Sequence, residues 1–396
     1  MDFNLSRITE VAKKLKINQI NSKVFTVAGT NGKGSTVAIL ESILVESGYN
    51  VGSYTSPHII EFNERIKINK TSVKTKEICE AFEIIEEFRG NITLTFFEFS
   101  TLAALIIFIK YNLDVVILEV GLGGRLDAVN IIDPDVSIIT NIGLDHTSIL
   151  GSDTEKIAYE KSGIMRKNKP TIVGYSKTHL SVIKNSEVIG SNLNIINRDF
   201  FYKIKSNDEW NFFNNDNVKI NCIISSIKGK IQISNAATAI QAIYRCDGIS
   251  FNKNDIKNGI KKSNIIGRFQ VIEGKPVTIL DVAHNEQSIC ILAENLKKYY
   301  PKNNLHAVFS VLKDKDIDQM LRHLKNVFQT WHISNCNNER ALSVKDLGKN
   351  CFFITENLNV YDSIEEAYNG AIRNINDNDI VVVFGSSYTV APILIK

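Results

Sequence analysis

The sequence predicts an α/β protein: a doubly wound, mostly parallel sheet domain with a small antiparallel elaboration, then a smaller Rossmann-like α/β domain. Three observations carry this. Short continuous apolar runs at 24–28, 114–120 and 135–140 read as buried parallel strands. They alternate with helical patterns, which places helices on both faces of a sheet. A second series of the same kind starts near residue 270, and 396 residues exceed what one core usually serves.

The elements follow in order. An amphipathic helix over 3–16 precedes the first strand. After a glycine-rich loop, a helix runs to Ser47 and is closed by Gly48. Residues 50–54 form the next strand, and Thr55-Ser56-Pro57-His58 opens an irregular stretch. Helices are expected at 74–88 and 96–109. Residues 191–232 are rich in Asn, Ser and Lys with short alternating pieces, and predict the antiparallel elaboration. A helix resumes over 234–244. The second series has strands at 277–280, 307–310, 330–334, 351–354 and 380–384, with helices at 286–299, 315–326, 362–375 and 386–394. The division is placed so that 1–268 is the doubly wound domain with the glycine-rich P-loop and 269–396 the Rossmann-like one.

Composition excludes several classes. With 44% hydrophobic and 22% charged residues, the chain reads as an ordinary globular protein. A net charge of +3 gives no case for nucleic acid. Cys79, Cys222, Cys246, Cys290, Cys336 and Cys351 form no C-x-x-C pair, so they read as buried reduced thiols of a cytoplasmic protein. The first fifteen residues carry charges throughout and lack a signal-peptide core. Lys110, Asn112 and Asp114 interrupt the most apolar stretch, 102–120, so it does not read as a membrane span.

The chemistry begins at Gly29-Thr30-Asn31-Gly32-Lys33-Gly34-Ser35-Thr36, between a strand and a helix. Glycines let backbone amides turn inward on a phosphate, and the helix N-terminus adds positive potential. Lys33 can neutralise phosphate charge, and Ser35 or Thr36 can reach a magnesium ion. The spacing departs from G-x-x-x-x-G-K-[ST], because Gly34 intervenes before Ser35. Glu119 ends a buried strand and is followed by Val120-Gly121-Leu122-Gly123-Gly124-Arg125. A carboxylate there needs a metal or an ion-pair partner such as Arg125. Asp145-His146 follows the next strand, at the edge where open sheets bind ligands.

Ser152-Asp153-Thr154-Glu155 reads as a capping box opening a helix. Lys161 then falls on its apolar stripe with Ile157, Ala158, Ile164 and Met165. An inward lysine can snorkel, pair with Glu160 or another acid, bind phosphate, or lose its proton and take up CO₂ as a carbamate. Spacing leaves these open. In the second series, Gly267-Arg268 and Asp281-Val282-Ala283-His284-Asn285 place polar groups before a helix, where Arg268 can clamp a phosphate.

At these residues the chain resembles the folylpolyglutamate synthase/dihydrofolate synthase family within the Mur ligase superfamily. The resemblance runs nearly end to end. It rests on the loop above, Thr55-Ser56-Pro57-His58, Phe97-Glu98, Glu119-Val120-Gly121-Leu122-Gly123-Gly124-Arg125-Leu126-Asp127-Ala128, Asp145-His146-Thr147 and Glu160-Lys161-Ser162-Gly163-Ile164. Asn235-Ala236-Ala237-Thr238-Ala239, Gly267-Arg268, Asp281-Val282-Ala283-His284-Asn285, Leu312-Lys313-Asp314-Lys315-Asp316 and Val383-Phe384-Gly385-Ser386-Ser387-Tyr388-Thr389-Val390 complete it.

The resemblance implies an ATP-dependent ligase that joins L-glutamate to dihydropteroate, to a reduced folate, or to both, through an acyl phosphate. It implies that Thr30, Asn31, Gly32, Lys33, Gly34, Ser35, Asn235, Arg268, Asp281, His284 and Asn285 bind ATP, held between the domains. Ser35, Ser56, Glu119, His146 and a carbamylated Lys161 would serve two Mg²⁺ ions, with Lys33, Glu119, His146 and Lys161 as the catalytic set. Thr95, Phe96, Phe97, Glu98, Leu126, Asp127 and Ala128 would line the pterin or folate site, and residues 55–63 match a mobile loop. A monomer is expected, with no nucleic-acid or membrane partner.

Two departures stand out. Glu286 occupies a position where the family usually has proline, and Ser387 one where an aromatic is common. The alternatives are a Mur-type ligase of cell-wall precursors, for whose extra N-terminal domain the 28 residues before Gly29 are too few, and a non-ligase P-loop ATPase.

Overall fold

The computed structural model describes residues 4–206, 209–223, 228–352, 357–373 and 375–395. It divides into two compact units, Met1–Asn264 and Ile265–Lys396, so Gly267 and Arg268 fall in the second. Both are mixed α/β.

In the first unit β1 (Lys23–Ala28), β2 (Val51–Tyr54), β3 (Ile66–Ile68), β4 (Thr71–Ser72), β5 (Val115–Glu119), β6 (Val136–Ile139), β7 (Pro170–Val173) and β8 (Asn192–Ile195) form one sheet. Its order is β4-β3-β2-β5-β1-β6-β7-β8. From β2 to β8 every pairing is parallel; β3 and β4 add an antiparallel edge. That edge lies in the stretch that the sequence left irregular. Parallel strands are covered on both faces, which is why β5 is buried at every position. The helices Lys33–Glu46 and Phe96–Lys110 are themselves buried on most sides.

The antiparallel elaboration is smaller than expected. β9 (Phe200–Ile204), β10 (Glu209–Asn214) and β11 (Lys219–Ile223) form it. Residues 192–195, assigned to it from composition, instead extend the main sheet as β8. Backbone pairing with β7 decides this; side-chain polarity does not.

In the second unit β12 (Gln270–Ile272), β13 (Val277–Asp281), β14 (Leu305–Phe309), β15 (Thr330–Ile333), β16 (Leu358–Val360) and β17 (Ile380–Phe384) make a sheet ordered β12-β13-β17-β14-β15-β16. Only β12 is antiparallel. Alternate residues of β17 enter two different cores. Ile380, Val382 and Phe384 pack with Ile279 and Phe309, while Val381 and Val383 pack with Leu280 and Val308.

Three expectations need correction. No strand begins at Cys351: the helix Val344–Phe352 covers that position, 353–356 lie outside the described residues, and the edge strand is β16. An apolar run of four residues cannot by itself separate a helix end from a strand. The helix expected over 315–326 is only Ile317–Arg322. Among the cysteines, Cys222, Cys246 and Cys336 are buried, but Cys79 is exposed and Cys290 half-buried, because both lie on outer faces of amphipathic helices. The side chain of Cys351 lies outside the described set.

β1 sits between β5 and β6: the chain builds β2 to β5 on one side of it, then crosses to β6, β7 and β8 on the other. In open α/β sheets such a reversal leaves a crevice at the carboxyl ends of the strands. The loops after β1, β2, β5 and β6 all emerge at that edge. No helix among the described residues is long and apolar enough to cross a membrane.

Candidate active site

The phosphate loop is held from β6. Gly29 has φ +152°, and a Cβ there would lie 1.8 Å from Thr140 Oγ1. Thr140 Oγ1 donates to the Asn31 carbonyl at 2.6 Å. The amides of Thr30 and Asn31 donate to the carbonyl and side-chain oxygens of Asn141. These two amides therefore shape the loop. Gly32 has φ +83°, and a Cβ on it would come within 2.7 Å of Asn235 Oδ1, so Asn235 lies directly against the loop.

Lys33 Nζ donates to the carbonyls of Gly29 at 2.9 Å and Thr30 at 3.2 Å. Lys161 arrives from the helix Thr154–Ser162. The cap of that helix is Asp153, whose side chain accepts from the Glu155 amide, and not Ser152 as the motif implied. The Glu155 carboxylate instead takes the amides of Leu180 and Ser181, from the next helix.

The capping error does not alter the inward face: Lys161 is 4% exposed. Its Nζ donates to the Gly29 carbonyl at 2.9 Å. Glu160, the adjacent candidate partner, pairs with Arg125 at 2.8 Å. Burial, then the charge of Lys33, pulls the Lys161 ammonium down to about 7, opposed by Asp145 and Asp127. The shift favours the uncharged amine over what an exposed lysine would show.

Arg125 is also the ion-pair partner proposed from sequence for Glu119, and Glu160 takes it. Glu119 is 4% exposed and accepts from the Ser56 amide at 3.2 Å. A Cβ on Gly34 would lie 3.6 Å from its Oε2, so the carboxylate faces the phosphate loop. Of the two hydroxyls left open, Thr36 Oγ1 is spent on the Gly32 carbonyl at 2.9 Å. Ser35 Oγ is buried and has no hydrogen-bond partner among the described residues. An orphaned hydroxyl beside a buried carboxylate fits a hard cation. Among the described residues no three His, Cys, Asp or Glu side chains converge as a metal cluster. Such a cation would need further oxygens, as a triphosphate supplies. His146 starts a short turn with φ +51° and is exposed; its amide donates to Asp145.

The expected pterin wall is partly structural. Thr95 and Glu98 form a capping box at the start of the helix Phe96–Lys110. Glu98 also pairs with Arg7 at 3.2 Å. Phe97 packs tilted against Tyr54, and glycine at 121 lets its ring close on the next loop, where a Cβ would lie 2.6 Å from it. Phe96 is 62% exposed. Asp127 accepts the amides of Leu122 and Val129, and burial raises its carboxyl to about 6. Ala128 is buried beside it, while Leu126 lines a cavity of about 470 Å³ with Leu150 and Tyr159.

In the second unit, Asp281 accepts the amides of Phe269 and Ala283. Desolvation raises its carboxyl, and the Arg268 charge lowers it. His284 Nδ1 lies 2.8 Å from the Val282 carbonyl, so Nδ1 carries the ring proton. Asn285 caps the helix Glu286–Tyr299. Glu286 is its first residue and reaches His323, so the departure from proline leaves the cap in place. Ser387 likewise follows a capping Ser386 at the start of the last helix.

Sequence reasoning missed Arg7, Thr140, Asn141, Glu64 and Arg65. Thr140-Asn141 carried a signal: polar residues directly after an apolar strand at the ligand edge. Arg7 carried none, because its partner lies 91 positions away.

Residues 27–243 match the Mur ligase middle domain, and residues 267–387 the Mur ligase glutamate ligase domain. The chain is 41% identical over 388 residues to the dihydrofolate synthase/folylpolyglutamate synthase of Buchnera aphidicola subsp. Schizaphis graminum, covering 98% of this chain and 91% of that protein. It is 38% identical to the Escherichia coli protein of the same name, over 100% and 91%. Its fold matches Escherichia coli FolC in complex with DHPP and ADP at a TM-score of 0.94, 38% identity and 100% and 93% coverage. It matches the Yersinia pestis bifunctional enzyme complexed with AMPPNP and Mn ion at 0.93, 35% identity and 100% and 93% coverage. Fold, loop and both domain matches agree: this chain belongs to the dihydrofolate synthase/folylpolyglutamate synthase family of Mur ligases.

Proposed function

We propose that this chain is an ATP-dependent ligase that joins L-glutamate to dihydropteroate, to reduced folates, or to both. The observation that carries the reading is Lys161, a buried lysine of lowered pKa hydrogen-bonded to the phosphate loop. The resemblance gives that lysine a role as a carbamate, and the non-ligase ATPase reading assigns it none.

A carboxylate is a poor acyl donor until its oxygen becomes a leaving group. In this reading the acid substrate attacks the γ-phosphorus of ATP, giving an acyl phosphate and ADP. The glutamate amine then attacks the acyl carbon, and phosphate leaves. The barrier is the approach of two anions. Lys33 and the amides from Gly32 to Ser35 hold the phosphates. Ser35, Ser56, Glu119, His146 and carbamylated Lys161 would hold two Mg²⁺ ions, which supply charge neutralisation between the phosphates and the incoming carboxylate. Asn235 positions the loop. Arg268, Asp281, His284 and Asn285 are the second unit's candidates for binding ATP, as the resemblance implies. Phe97, Asp127 and Ala128, with Thr95, Phe96, Glu98 and Leu126 around them, orient the pterin. The enzyme works as a cytoplasmic monomer.

The test is ligation by purified protein with ATP, Mg²⁺ and labelled glutamate, with dihydropteroate and tetrahydrofolate offered separately. A glutamate adduct of either is the expected result. ATP hydrolysis without either adduct overturns the reading.

A further inference from the structure

The loop after β2 is clamped by its own last two residues. The Glu64 carboxylate accepts three consecutive amides, Ile59 at 2.8 Å, Ile60 at 2.7 Å and Glu61 at 2.7 Å. The start of the loop is anchored too. The Thr55 amide donates to the Arg65 carbonyl at 2.9 Å, and the Ser56 amide to Glu119.

Arg65 is 7% exposed. Its guanidinium lies over the rings of Phe62 at 5.5 Å and Phe96 at 5.3 Å. Cation–π contacts with two rings restrict the orientation of the planar group. From there Nε–H donates to His58 Nδ1 at 2.8 Å. Arginine has donors and no acceptor, so Nδ1 must present its lone pair. The proton of the neutral imidazole therefore sits on Nε2. His58 is half-buried, edge-on to Phe62, and the bond from Arg65 is the imidazole's hydrogen bond among the described residues. Phe62 in turn packs edge-on against Phe96, in the segment assigned to the pterin.

We propose that Arg65 is a positioning residue that locks His58 as the Nε2–H tautomer, so that His58 donates a hydrogen bond to an oxygen of the pterin-bearing acid. The proposal rests on the ligase reading above. A free histidine distributes its proton between two nitrogens, and only one arrangement serves a given acceptor. Arg65 removes that choice before substrate arrives. The aromatic pair keeps the guanidinium in place, and Glu64 keeps the loop from sliding past it.

The test is steady-state kinetics with four variants, each checked for folding by thermal melt. His58→Phe raises KM for the pterin substrate about tenfold and leaves KM for ATP and glutamate within about twofold. His58→Gln, whose amide nitrogen occupies the place of Nε2, stays within about threefold of wild type. Arg65→Met raises the same KM about three- to tenfold by releasing the tautomer. Adding His58→Gln to Arg65→Met restores it, since an amide needs no tautomer lock. A double variant as poor as Arg65→Met, or an unchanged KM in His58→Phe, overturns the proposal.

Long-range ¹⁵N–¹H correlation spectra of the labelled wild-type protein, with its seven histidines, read the tautomer directly. His58 should appear as Nε2–H; a proton on Nδ1 overturns the lock whatever the variants do. No adduct from wild type would overturn the ligase reading, and the substrate half of this one with it. An adduct with unperturbed variants would overturn this inference alone.

Discussion

Lys33 and Lys161 converge on one atom: each places its Nζ 2.9 Å from the carbonyl oxygen of Gly29. They lie 128 positions apart in the chain, on helices that follow different strands of one sheet. Burial of Lys161 is the larger cost, and the charge of Lys33 beside the same carbonyl adds to it. That is why Lys161 is the one to yield its proton.

Replacing Lys161 should therefore separate activity from stability. In Lys161→Met, ligation falls by more than about a hundredfold. The folded-state pKa of about 7 lies below the usual 10.5, so below about 7 the buried ammonium carries its full cost. Between about 7 and 10.5 the unfolded chain holds a proton that the folded chain lacks, and stability rises with pH. With bicarbonate excluded, calorimetry should show Lys161→Met melting above wild type at pH 6, with the gain shrinking toward pH 10. A lower melting temperature at pH 6 would count against the burial cost.

Gly29→Ala tests the loop itself. The new Cβ meets Thr140 Oγ1, and φ +152° disfavours a side chain in any case. The variant should lose about 1–3 kcal/mol in denaturant unfolding and bind an ATP analogue weakly. Wild-type affinity for the analogue would show that the carbonyl need not stay where both lysines find it.

Glu119→Gln keeps the shape and an acceptor for the Ser56 amide, but removes the charge. Turnover should drop at least about a hundredfold, and the Mg²⁺ concentration for half-activity should rise. An unchanged Mg²⁺ titration would assign Glu119 to structure.

The second unit has its own pH response. The Tyr361 hydroxyl lies 3.1 Å from His332 Nδ1, His332 Nε2 lies 3.0 Å from Thr330 Oγ1, and Thr330 Oγ1 lies 2.8 Å from His306 Nδ1; His306 Nε2 faces Asp379 at 3.5 Å. Burial, then His306, lowers His332 to about 4 from 6.5. A depressed histidine pKa means the unfolded chain takes up the proton first. The His332 contribution to stability should be flat above about pH 6.5 and fall as pH drops toward about 4. His332→Gln should flatten part of that fall in melting curves between pH 7 and 4. An identical slope would remove His332 as its source.

The strands of the ligand edge and the residues on them were legible because buried parallel strands leave continuous apolar runs ending in polar loops. Glu119, Lys161 and the phosphate loop are all local signals of that kind. The errors arose where composition stood in for pairing. Asn192–Ile195 looks like part of the antiparallel elaboration and pairs with β7 at the edge of the main sheet. Ser152 fits a capping pattern that Asp153 fulfils one residue later.

By itself the sequence determined the alternation of strands and helices, the phosphate loop, and an inward face for Lys161. These rest on periodicity and on backbone geometry that a few neighbouring residues enforce. Tertiary structure alone decided partners. It gave Arg125 to Glu160 and away from Glu119, left Ser35 and not Thr36 with a spare hydroxyl, and set Arg65 against His58. Partnership depends on distances between segments far apart in the chain, and those follow from the order in which strands pair.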